Sequence, residues 1–105
     1  MKIVVLGGAG DMGSRAVRDL VKSPDVEELV IADINTTVAE KLTKELGEKV
    51  KAVYIDANRP ETLIEAMQNK DVVASAMGPF YKYEKVAVEA ALTTGVNYVS
   101  ICDDY

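Results

Sequence analysis

Three glycines and one acid carry the most legible chemistry in this chain. Gly8-Ala9-Gly10-Asp11-Met12-Gly13 reads G-x-G-x-x-G, and Asp33 stands twenty residues after Gly13. A glycine triplet alone marks only a turn. Between a strand and a helix, with an acid ending the next strand, it describes a cradle for a dinucleotide. Each position then has a mechanical reason. Gly8 allows a tight turn out of the strand, Gly10 lets the backbone approach a pyrophosphate, and Gly13 lets the helix pack close to the sheet. The helix opening at Asp11 and Met12 supplies free N–H groups and a partial positive charge for phosphates. Asp33 can accept hydrogen bonds from the adenosine ribose, with Ile34 beside it. No Lys-Ser or Lys-Thr follows the last glycine, which excludes a P-loop.

Asp33 also bears on the choice of cofactor. A carboxylate repels a 2′-phosphate, and Ile34 and Asn35 follow it where an arginine would otherwise meet one. The expectation is NAD ahead of NADP, although Arg15 on the first helix could still reach a phosphate. The glycines fit a second register: Gly7, Gly10 and Gly13 make G-x-x-G-x-x-G, and Tyr81 and Lys85 make Y-x-x-x-K. That pair is the acid/base couple of short-chain dehydrogenases, where it lies on a helix after the fifth strand. Here it follows the fourth, so it is read as a chance match and no catalytic residue is assigned. Lys82 and Lys85 read as solvated charges.

What the chain lacks narrows the field further. It has no histidine, which removes serine–histidine catalysis, histidine bases and most zinc sites. No metal site is expected. The 17 acids against 12 bases give a net charge of −5, which argues against a nucleic-acid partner. The one cysteine, Cys102, excludes an internal disulfide and fits a reducing compartment. No apolar run approaches the roughly 20 residues of a membrane span. The chain enters a strand at once, without signal-peptide architecture. A cytoplasmic protein with no membrane partner is expected.

These residues need a frame that brings them together. With 105 residues, 49% of them hydrophobic and 28% charged, one globular domain is the expectation. Short β-branched runs alternate with helical patterns, the mark of βαβ units and a parallel sheet. Lys2–Leu6 is a continuous apolar run suited to a strand buried on both faces. Met12, Ala16, Val17, Leu20 and Val21 follow at helical spacing, up to Ser23-Pro24-Asp25. Strand two is Leu29–Ala32, ending at Asp33. Thr37 and Glu40 form a capping box for a second helix that closes at Gly47. Strand three runs from Val50 to Ile55 and ends at Asp56. Asn58 and Pro60 open a short helix through Leu63, Ile64 and Met67. Val72–Met77 is strand four. A helix with Val86, Ala87, Ala90 and Ala91 on one face ends at Gly95, and Val96–Ile101 is strand five. The fold class is α/β, a doubly wound parallel sheet of five strands in the order 3-2-1-4-5. The pattern alone leaves 2-1-3-4-5 open.

The chain resembles the N-terminal domain of the saccharopine dehydrogenase family. KIVVLGGAGDMG, IADIN, DVVASAMGPF and GVNYVSICDD carry the resemblance and cover nearly the whole chain. Such enzymes are Rossmann dehydrogenases acting on amines or amino acids such as saccharopine, lysine or carboxynorspermidine. The resemblance implies that Gly8, Gly10 and Gly13 hold the pyrophosphate and Asp33 the adenosine ribose. It implies Asp56 near the adenine, and Ala76, Met77, Gly78 and Pro79 against the nicotinamide-side ribose. Family members continue into a separate substrate domain, so residues 1–105 are expected to be a truncated cofactor domain. A Rossmann-type NAD or NADH sensor without redox chemistry is the alternative. Phe80, Tyr81 and Tyr83 lid the nicotinamide pocket or simply pack. Asp103 and Asp104 read as a solvated loop, and Cys102 as a small packing residue. A sheet ending at strand five leaves an exposed edge, from which a homodimer is expected.

Overall fold

The computed structural model of the chain describes residues 1–76 and 81–100. Five strands alternate with four helices. They are β1 Lys2–Leu6, α1 Asp11–Leu20, β2 Glu28–Asp33, α2 Thr36–Leu46, β3 Val50–Tyr54, α3 Pro60–Met67, β4 Val72–Ser75, α4 Tyr81–Thr94 and β5 Asn97–Ser100. The strands form one sheet in the order β3-β2-β1-β4-β5, and every pairing is parallel. The expected order holds, and 2-1-3-4-5 is set aside.

The apolar run of β1 has the cause anticipated for it. Successive side chains of a strand point to opposite faces, and here both faces are covered. On one face Val4 and Leu6 join Val30, Ala32 and Val73 under Leu63 and Met67 of α3 and Ala87, Ala90 and Ala91 of α4. On the other, Ile3 and Val5 join Leu29, Ile31 and Ala74 under Val17 of α1 and Ala39 and Leu42 of α2. The alanine stripe of α4 keeps that helix close to the sheet, and those three alanines are buried. The helices following β1 and β2 thus lie on one face, and those following β3 and β4 on the other. The winding reverses between β1 and β4, which leaves a crevice at the carboxyl ends of these two strands.

Several boundaries differ from the sequence reading. Asn35, rather than Thr37, caps α2: its side-chain oxygen accepts the Val38 N–H at 3.2 Å, and Thr37 lies inside the helix. Asn35 is the stronger cap because its carbonyl oxygen reaches the third helical amide from outside the first turn. β3 stops at Tyr54, and Asp56 forms an isolated bridge to Arg59. Pro60 sits in the first turn of α3 as expected, but the capping position is Arg59, not Asn58. β4 ends at Ser75 and β5 begins at Asn97, one residue after Val96.

Candidate functional site

The loop leaving β1 is built by glycines with distinct duties. Gly7 carries the turn in the left-handed region, φ 76°. This corrects the reading that gave the turn to Gly8. The Gly7 N–H donates to Ala32 O at 2.7 Å, so the loop starts bound to β2. Gly8 presses on the same strand: a Cβ there would lie 2.8 Å from Ile31 Cγ2. At Gly13 a Cβ would stand 2.1 Å from the Gly7 carbonyl oxygen and 2.7 Å from Gly8 Cα, so α1 can approach the loop only with glycine there.

Gly10 is different. It occupies the N-cap of α1 with φ −78° and ψ 176°, an extended conformation open to any residue. Its nearest contact for an added Cβ is Gly7 O at 3.5 Å, an ordinary distance, and the residue is exposed. Among the described residues nothing requires glycine at this position. The bare backbone faces outward beside the first turn of α1, where Asp11 and Met12 are also exposed. Gly10 provides no side-chain cap, and amides in a first turn have no partner within their own helix.

Asp33 ends β2 alongside this loop. Its Oδ2 accepts the Ala9 N–H at 3.0 Å and its Oδ1 accepts the Asn35 N–H at 2.9 Å. Next to it Ile34 is 62% exposed, a large apolar side chain open to solvent at the sheet's carboxyl edge. Asp56, half-buried, closes a turn through Oδ1, which accepts the Asn58 N–H at 2.9 Å, and its own N–H donates to Thr62 Oγ1 at 2.9 Å. Beyond that turn Arg59 pairs with Glu61 at 3.1 Å. A backbone hydrogen bond and the Arg59 guanidinium hold the Glu61 carboxyl below its ordinary range. Ala76 follows β4 and donates its N–H to Leu6 O at 2.8 Å, next to the glycine loop.

The register brings these positions to one edge. Leu6 pairs with Ala32 on one side and Ser75 on the other, and Asp33 pairs with Tyr54. Gly8, Gly10, Asp11, Met12, Gly13, Asp33, Ile34, Asp56 and Ala76 therefore all lie toward the carboxyl ends of the strands. Met77, Gly78 and Pro79 lie outside the described residues, as do Phe80, Cys102, Asp103 and Asp104. Tyr81 opens α4 and Lys85 is exposed one turn on. Sequence reasoning placed Gly7 only in a second glycine register and gave Ala9 and Asn35 no part in fixing the loop. The D-x-N spacing of Asp33 and Asn35 offered a local signal. The tie from Ala9 to Asp33 spans 24 residues and offered none.

A parallel sheet of this order, with a glycine loop at its switch point, is a Rossmann-type dinucleotide-binding domain. The chain belongs to the saccharopine dehydrogenase NADP binding domain family, whose model matches residues 3–103. It is similar to apo saccharopine dehydrogenase (L-Glu forming) from Saccharomyces cerevisiae, with a TM-score of 0.80 and 23% identity over 94% of this chain and 21% of that one. A second similar structure is the Citrobacter sp. triphenylmethane reductase complexed with NADP(H). There the TM-score is 0.80, with 23% identity over 95% of this chain and 36% of that one. A lipid droplet localized protein of Caenorhabditis elegans is 27% identical over 94% of this chain and 25% of its own length. The chain thus spans about a quarter of that relative's length. Among the described residues no helix is long and apolar enough to cross a membrane. The expected preference for NAD finds no support here, since the family is described by NADP binding.

Proposed function

We propose that this domain holds a nicotinamide dinucleotide across the carboxyl edge of its sheet and serves as the cofactor module of a longer oxidoreductase. In this reading Gly8, Gly10, Asp11, Met12 and Gly13 receive the pyrophosphate. Asp33 and Ile34 meet the adenosine ribose, Asp56 lies near the adenine, and the segment from Ala76 through Met77, Gly78 and Pro79 meets the nicotinamide side. Gly10 carries the argument. Its backbone is left bare where the fold would admit a side chain, which fits a phosphate that must come close. Bound there, the nicotinamide would donate or accept a hydride.

NADP is the cofactor favoured by the family description. Asp33 does not forbid it. Each of its oxygens already accepts a backbone N–H, which offsets part of the charge a 2′-phosphate would meet. Arg15 of α1 is exposed, one residue beyond the first intrahelical hydrogen bond, Ser14 N–H to Gly10 O, and offers an opposite charge. The family resemblance suggests an amine or amino-acid substrate for the whole enzyme. Self-association belongs to the same reading. β5 is an edge strand, and its Val99 is 50% exposed. Calorimetric titration of the chain and of Gly10→Val with NADP and NAD tests the proposal. Binding by the first and none by the second is the expected result.

A further inference from the structure

We infer that Asp33 is a positioning residue for the glycine loop, so that affinity at the pyrophosphate end of the cofactor depends on it. This rests on the dinucleotide reading above and extends it, because a ribose ligand alone would act only at the ribose. The observation is the hydrogen bond from the Ala9 N–H to Asp33 Oδ2, 3.0 Å long and partly buried. Ala9 stands midway between Gly8 and Gly10. Two more amides of this loop are committed as well: Gly7 N–H goes to Ala32 O at 2.7 Å and Gly10 N–H to Gly7 O at 3.1 Å.

The loop is therefore stitched to the end of β2 at two successive acceptors, the Ala32 carbonyl and the Asp33 carboxylate. The carboxylate is itself fixed from the far side by the Asn35 N–H at 2.9 Å. Asn35 in turn caps α2 through the Val38 N–H. Three elements are joined through one side chain: the loop after β1, the end of β2 and the start of α2. With the Gly7, Ala9 and Gly10 amides turned inward, the donors offered to a phosphate include those of the exposed first turn of α1, at Asp11 and Met12. Their placement relative to Gly10 depends on the loop that Asp33 holds. A carboxylate acceptor makes this a charge-assisted bond, roughly twice as strong as a neutral one.

The test uses two ligands that differ only at the ribose, ADP and 2′,3′-dideoxy-ADP, titrated into the 105-residue chain and into Asp33→Ala. Amide hydrogen exchange at Ala9 is followed in both, with Ser14 as the local reference because its N–H is held inside α1 by Gly10 O at 2.8 Å. The expected result is that Asp33→Ala weakens both ligands, the dideoxy form included, by at least about fivefold, the scale of one lost hydrogen bond. Ala9 exchange accelerates about tenfold or more relative to Ser14. Asp33→Asn, which keeps one acceptor oxygen, recovers part of the dideoxy-ADP affinity. Unchanged dideoxy-ADP affinity in Asp33→Ala overturns the inference and leaves Asp33 a ribose ligand only. Should wild type bind neither ligand, the dinucleotide reading fails, and Ala9 exchange decides the positioning role by itself. Ala9 exchange in wild type as fast as that of an unprotected amide overturns it without any variant.

Discussion

A Cβ placed on Gly13 would stand 2.1 Å from the carbonyl oxygen of Gly7. The obstacle is backbone, so no rotamer change relieves it. The two glycines fix how near α1 comes to the end of β1, and with it the position of the helix's first turn. Gly13→Ala is expected to destabilise the fold by about 1–3 kcal/mol or more, the cost of forcing atoms into a packed site. Urea unfolding measures it. An unchanged midpoint would mean that α1 can move away from the loop freely.

Asp33 is expected to set the balance between the two nicotinamide dinucleotides. Asp33→Asn removes the negative charge while keeping the side chain's shape. The ratio of NADP to NAD affinity should rise by the equivalent of about 1–3 kcal/mol, the scale of a hydrogen bond to a charged group. Calorimetry with both cofactors on both proteins checks this. A ratio that stays put, or shifts toward NAD, would remove Asp33 from cofactor selection.

Two surface carboxylates give the fold an acid-side dependence. Arg18 of α1 pairs with Glu45 of α2 at 2.8 Å and holds the Glu45 carboxyl below its ordinary value of 4.5. Glu61 is held below 4.5 by a backbone hydrogen bond and by Arg59. A carboxyl whose folded pKa is depressed contributes stability that is present above its unfolded pKa. That contribution is lost as pH falls through the folded pKa. Glu45→Gln should therefore be less stable than wild type at pH 7, by a small margin because the pair is exposed. The difference should close below pH 4.5. Chemical denaturation across that range measures it, and a difference that widens with acid would contradict the assignment.

Much of this architecture is legible in the sequence. Ile3–Leu6 is apolar at every position, in both strand phases, as a strand covered on two faces requires, and Val4 and Val5 are indeed both buried. Asp33 was legible as the acid at the end of β2 because strand, glycines and acid share one spacing. The division of labour among the glycines was not. Gly7 and Gly8 are adjacent and fit two motif registers, and only the backbone angle assigns the turn to Gly7. Thr37 and Glu40 satisfied a capping pattern that Asn35 preempts by standing closer to the end of β2. The Ala9 amide was invisible for a different reason. It is a backbone group, and its partner lies 24 residues away.

The proposed self-association through β5, an edge strand among the described residues, should be detectable. Sedimentation velocity over a wide concentration range is expected to show a monomer giving way to a dimer. Charged substitution of Val99, which is 50% exposed on β5, should shift that equilibrium toward monomer. A single monomeric species at all concentrations would contradict this.

In the proposed reading, the bare backbone at Gly10 is kept open for a dinucleotide pyrophosphate. Gly10→Val separates that demand from the demands of folding, since φ −78° and ψ 176° suit valine and an added Cβ meets nothing nearer than 3.5 Å. The measurement is a calorimetric titration of NADP into wild type and Gly10→Val, paired with urea unfolding of each. Saturable binding to wild type and none to the variant are expected, with unfolding free energies within about 1 kcal/mol of each other, the scale of changing an N-cap residue. Equal NADP affinity in the two proteins, or no binding by wild type, would contradict it.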